Sequence, residues 1–348
     1  MKKGIGLWLS ALLLIAALAA CSQSAKPVDD KAAQKTEEAP SDTSAQNSSD
    51  TPSSEANKTP GEAVPFEVVG QPSEDAPADQ SETEVRLEGN VTVEEKDLVI
   101  KGTSNLMPGA ILESEVTSKG YNMWGYKATT EINGDGSFEL TVKKPDVKNT
   151  MDVKLSFDPY DQSERLQEVY GKNGQKLTGS YVYQYSNSAE IAYFAAAYAH
   201  VAPDAPLKTT VAFETPKWDK PSDYGDPTVW FKPTVTKDEK YLYVSVKSNL
   251  LEGAAVKANV DIPGHTHYGY TDSAQVKPDG SFTLQIPHPK KVKEYYFLIQ
   301  YEPEELMWPT LKEAYGTRGE ELKGELVKVK DKGDKTINIL EMKIKITQ

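Results

Sequence analysis

The sequence predicts a mainly β protein: two tandem β-sandwich domains, each with one short helix, behind an N-terminal tether that does not fold. Three observations predict this. Residues 98–179 recur at 242–324, a repeat long enough for each copy to bury its own core. Both copies read as short alternating or β-branched runs separated by turn residues. Composition changes sharply near residue 82, where an acidic, Pro- and Ser-rich stretch gives way to those runs. The organisation reads as 1–20 signal, 21–82 disordered linker, 83–215 first sandwich and 226–348 second sandwich.

The signal comes first. Lys2 and Lys3 precede an apolar run from Ile5 to Ala20, too short and Ala-rich for a membrane span and right for export. It ends in Leu18-Ala19-Ala20-Cys21, at the only cysteine of the chain. This ending resembles the lipobox of bacterial lipoproteins. The resemblance implies cleavage before Cys21, a diacylglycerol on its sulfur and an acyl chain on its amine, hence an extracytoplasmic protein anchored to a membrane. Each buried CH2 adds about 0.8 kcal/mol to such attachment. With Cys21 so used, the exported domains can form no disulfide.

The tether follows. Residues 22–82 hold 13 acidic and 4 basic side chains, a net −9 out of the −13 of the whole chain. They contain too little apolar surface to offset chain entropy. A flexible chain of this length spans roughly 40–50 Å, enough to hold folded domains off a membrane. Its acidity argues against nucleic acid and anionic lipid as partners.

The repeat then sets the register of the sandwiches. Ser104-Asn105-Leu106 and Gly109 match Ser248-Asn249-Leu250 and Gly253; Asp135-Gly136-Ser137-Phe138 matches Asp279-Gly280-Ser281-Phe282. Strands are expected around residues 98–100, 110–116, 137–142 and 153–157, and around 241–246, 255–260, 281–286 and 296–301. The Asp-Gly turns favour a positive φ at glycine, and Phe138 and Leu140, like Phe282 and Leu284, should face the core. Leu166, Val169 and Tyr170 lie at helical spacing before Gly171, and residues 309–316 repeat that arrangement with Pro309 in the first turn. The glycines that follow, from Gly171 to Gly179 and from Gly316 to Gly324, read as structural turns; no P-loop lysine follows them. These copies resemble bacterial immunoglobulin-like domains, whose strands open with Asp-Gly-Ser-Phe after a tight turn. The resemblance implies a cell-surface binding or spacer module without catalytic activity.

Between the copies lies a stretch with no obvious counterpart. Tyr181, Tyr183 and Tyr185 alternate, and residues 191–199 are apolar on every side, which implies burial in a core or a domain contact. Residues 214–228, with three prolines, mark the boundary. Residues 337–346 alternate as a closing strand.

Candidate functional residues lie where the copies diverge. Tyr121, Trp124, Tyr126, Tyr268 and Tyr270 could form a sugar-stacking or protein-binding face, or half-buried cross-strand pairs. His265 and His267 share one side of an extended segment, the spacing of a metal pair, with Asp272 and His288 as further ligands, or are exposed loop histidines. No cysteine nucleophile or Gly-x-Ser-x-Gly elbow follows Cys21, and no catalytic residue or cofactor is expected. The expected function is a membrane-anchored, non-catalytic adaptor whose paired modules bind an envelope protein or cell-wall glycan with avidity. Metal handling by His265 and His267, or an accessory envelope enzyme, are the alternatives.

Overall fold

The computed structural model describes residues 70–187, 190–264, 269–289, 292–303, 307–333 and 335–347. The signal, Cys21 and the tether up to residue 69 lie outside them, as do His265, His267 and Tyr268.

The first sandwich contains β1 (Leu87–Val93), β2 (Asp97–Ser104), β3 (Ile111–Ser118), β4 (Lys127–Glu131), β5 (Ser137–Lys143), β6 (Met151–Phe157), helix α1 (Glu164–Tyr170), β7 (Val182–Asn187), β8 (Glu190–Val201) and β9 (Thr210–Ala212). Its antiparallel sheets run β5-β2-β1-β9 and β4-β3-β6-β8-β7. The second contains β10 (Phe231–Lys237), β11 (Tyr241–Ser248), β12 (Ala255–Asp261), β13 (Thr271–Gln275), β14 (Phe282–Pro287), β15 (Glu294–Tyr301), helix α2 (Pro309–Tyr315), β16 (Val327–Lys332) and β17 (Lys335–Thr347). Its sheets run β10-β11-β14 and β13-β12-β15-β17-β16, the same order as in the first except that β9 has no counterpart beside β10. Each pair of antiparallel sheets forms a sandwich, with the helix inserted before the closing hairpin.

Alternation places the cores. In β5 every second side chain is buried, and Phe138, Leu140 and Val142 meet Leu112, Val153, Leu155 and Phe157 from the opposite sheet. Phe282, Leu284 and Ile286 do the same against Val256, Phe297 and Ile299. Each such side chain contributes about 1.5–3 kcal/mol on burial. The turn before β5 needs its glycine: Gly136 has φ +81, and Asp135 Oδ1 accepts the Ser137 N–H at 2.8 Å.

The repeated Ser-Asn-Leu and the helix tyrosine form one lock. Asn105 Oδ1 accepts the Arg86 N–H and its amide donates to the Glu84 carbonyl, both at 2.8 Å. Asn249 repeats this with Trp230 and Thr228 at 3.1 and 3.2 Å. Tyr170, buried at the end of α1, accepts the Met107 N–H at 2.8 Å through its hydroxyl; Tyr315 accepts the Leu251 N–H at 3.0 Å. Both helices stop at a glycine whose N–H closes the last turn, Gly171 on Gln167 and Gly316 on Lys312. In the glycine turns that follow, Gly174 N–H bonds the Gly171 carbonyl, Leu177 and Leu322 point inward, and the backbone is committed to structure.

The structure corrects two expectations. Residues 181–201 do have a counterpart: β7 and β8 correspond to β16 and β17 at an offset of 145. The Tyr193 N–H bonds the Asn173 carbonyl, as the Asn338 N–H bonds that of Arg318, and Ala196 on Tyr181 repeats as Glu341 on Leu326. The stretch from residue 70 to 82, acidic and read by composition as tether, is held on the first sandwich. The Ser73 N–H bonds the Gly134 carbonyl, Arg165 donates to the Gly70 carbonyl, and Asp79 pairs with Arg86 at 2.7 Å.

Candidate functional site

The outer face of the five-stranded sheet in the first sandwich is where chemistry gathers. The register sets Thr117, Asp152 and His200 side by side, and Glu115, Lys154 and Tyr198 in the next row. On β7 and β8, Tyr183 lies opposite Phe194. The inward positions of β8 are filled by Ala195, Ala197, Ala199 and Val201, so the continuous apolarity of the strand divides into a core side and this outer side.

The second sandwich and the connecting segment close over that face, leaving a cleft of about 560 Å³. Tyr183 and Phe194 stack with centroids 5.5 Å apart, and Tyr183 meets Tyr198 and Trp218 edge-on at 5.8 and 5.5 Å. The Trp218 indole N–H donates to the Ser180 carbonyl at 2.6 Å, which fixes the ring. Trp308, at the start of α2, completes a lining of five aromatic side chains. Gln275, Thr117, Glu214, Lys217 and Lys277 add polar groups.

Glu252 is the centre of this site. Only 7% of its surface is exposed, and its Oε1 accepts the Gln184 N–H at 2.9 Å, a hydrogen bond donated by the first sandwich to the second. Its own N–H bonds the Tyr224 hydroxyl at 2.8 Å. Burial pushes its carboxyl up to about 7, against the smaller opposing effects of the Gln184 hydrogen bond and Lys220. Burial, with Asp152, Glu115 and Glu252 acting in the same direction, raises the Tyr198 phenol to about 12. His200 is held above its ordinary range by Asp152, whose Oδ1 lies 2.7 Å from Nδ1. Two further contacts join the sandwiches: Lys119 to Asp272 at 2.6 Å, and Lys240 to Asn149 Oδ1 at 3.2 Å.

The residues singled out from sequence lie elsewhere. Trp124 is 87% exposed, and Tyr121 uses its hydroxyl to accept the Lys148 N–H at 2.9 Å. Tyr126 packs against the first core and Tyr270 against the second, so the structure divides these aromatics between the two modules. Tyr268, His265 and His267 lie outside the described residues. Asp272 is engaged by Lys119 and by the Gln285 N–H, and His288 bonds the Lys240 carbonyl through its backbone. Among the described residues, no group of three or more His, Cys, Asp or Glu is placed to hold a metal ion. Sequence reasoning missed Glu252, Trp218 and Trp308. The available signal was the divergence of the copies, since Glu252 and Trp308 replace Pro108 and Ser163.

Neither protein-family models nor curated proteins yield a match to this chain.

Proposed function

We propose that this chain is a lipid-anchored extracytoplasmic binding protein that holds a cell-wall glycan in the cleft between its two sandwiches. The observation that carries the reading is the cleft itself. Half-buried aromatic rings offer faces on which sugar C–H groups stack, beside carboxylates, amides and hydroxyls that hydrogen-bond sugar hydroxyls. Its volume, about 560 Å³, suits a disaccharide-sized segment of a longer polymer. Because both modules contribute side chains, neither forms the site alone. The lipobox-like Leu18-Ala19-Ala20-Cys21 supplies the anchor and the acidic stretch the reach into the wall.

The test is co-sedimentation of the full chain with purified insoluble wall glycan. Wild-type protein should pellet, and a Trp218→Ala/Trp308→Ala variant of unchanged fold should stay in the supernatant. Equal pelleting of both would reject the cleft as the site. Capture of a specific envelope protein on intact cells with no glycan retention would favour the adaptor reading. For the anchor, Cys21→Ala should move the protein from the membrane to the soluble fraction.

A second reading has one specific support. A buried glutamate raised to about 7 in a cleft with other carboxylates is the form a general acid takes in glycan cleavage. Release of reducing ends from wall glycan, abolished by Glu252→Gln, would establish an enzyme in place of a binder.

A further inference from the structure

The electrostatics of the cleft narrow its ligand, and this step rests on the glycan reading above. Glu252 is a carboxylate almost wholly removed from water, with no ion pair to a lysine or arginine among the described residues. Lys220, the cation that acts on it, is exposed on the connecting segment. Holding such a charge costs several kcal/mol unless a counter-charge arrives. Structure alone does not ask for it. The first module has Pro108 at the equivalent position, and a neutral amide oxygen would accept the Gln184 N–H as well.

The surrounding charges point the same way. Glu252 acts on the phenols of Tyr183, Tyr198 and Tyr224; Glu214 and Asp279 act on Tyr183, and Asp152 and Glu115 on Tyr198. Of these, Asp152 is paired with His200 and Glu115 with Lys127 and Lys154, so the remaining carboxylates of the lining are Glu252 and the exposed Glu214. Among the cations of the lining, His200 is tied to Asp152, and Lys217 and Lys277 are exposed. Electron-rich ring faces and a buried carboxylate together form a site for an ammonium group.

We propose that the cleft selects amino sugars with a free, protonated amine, seating that ammonium against the Glu252 carboxylate among Tyr183, Tyr198, Trp218 and Trp308. N-acylated sugar is disfavoured twice, because its nitrogen is neutral and its acyl group adds bulk where the carboxylate leaves little room. The chain would thus read wall glycan that has lost its N-acetyl groups.

The experiment is a tryptophan-fluorescence titration of the full chain with two probes, the free-amine disaccharide of glucosamine and its di-N-acetylated form. At pH 7.5 the wild type should bind the free amine about tenfold or more tightly than the acetylated probe. Glu252→Gln should remove that preference while still binding both weakly. In wild type, lowering the pH to 5 should remove it too, an arm that needs no variant. Equal binding of both probes by wild type at pH 7.5, or a preference that survives both Glu252→Gln and pH 5, overturns the proposal while leaving the glycan site in place. If neither probe binds, the glycan reading fails and this inference with it.

Discussion

Raising the pH from 5 to 8 should weaken the second sandwich and its contact with the first, and Glu252→Gln should remove most of that dependence. The carboxyl of Glu252 is raised from 4.5 to about 7 by burial. A carboxyl with a raised folded pKa favours the protonated fold. Below about pH 4.5 both states hold the proton, and the group adds no penalty. Between 4.5 and 7 the unfolded chain releases it while the folded chain keeps it, so stability falls by about 1.4 kcal/mol per pH unit. Above 7 the full penalty, about 3 kcal/mol, stands, and about 2.5 kcal/mol of it develops between pH 5 and 8. With only 7% of the residue exposed, little solvent screening reduces this. The assay is urea unfolding of the full chain at several pH values, followed by tryptophan fluorescence, for wild type and Glu252→Gln. The glutamine still accepts the Gln184 N–H but carries no charge, so the variant should gain on wild type as the pH rises. Parallel profiles for the two proteins would refute the argument.

Three further outcomes follow from the geometry. His200 should titrate above 6.5 by NMR and fall back on Asp152→Asn; its contribution is full below the unfolded pKa and lost as the pH rises through the folded one. With the imidazole about half exposed, that contribution stays below about 1 kcal/mol. Asn105→Ala and Asn249→Ala should each cost about 2–3 kcal/mol in denaturant unfolding, because each leaves the backbone N–H just before β1 or β10 without its acceptor. Gly253→Ala should cost about 1–3 kcal/mol and alter tryptophan emission, since Gly253 has φ +84 and a Cβ there would overlap the Trp308 ring.

The sandwiches were legible because their signals are local. Alternation along β5 and β14, the Asp-Gly turns and the glycine stops after α1 and α2 are each written within a few residues. The closing hairpins hid their kinship because both faces diverged. On the core side Ala195, Ala197 and Ala199 stand where the second module has Leu340, Met342 and Ile344. On the outer side Tyr183, Tyr185, Tyr198 and His200 stand where it has Lys328, Lys330, Lys343 and Lys345. The second substitution has a physical reason. In the first module that face is covered by its neighbour and lines the cleft, while in the second it carries exposed lysines paired with Glu302, Asp261 and Glu294. Two equivalent surfaces thus took opposite compositions because only one of them has a module docked on it. The site could not be read from either copy alone: Glu252 acquires its meaning from Gln184, 68 residues away on the other sandwich. The copies differ most where they meet, and here that place is the cleft around Glu252.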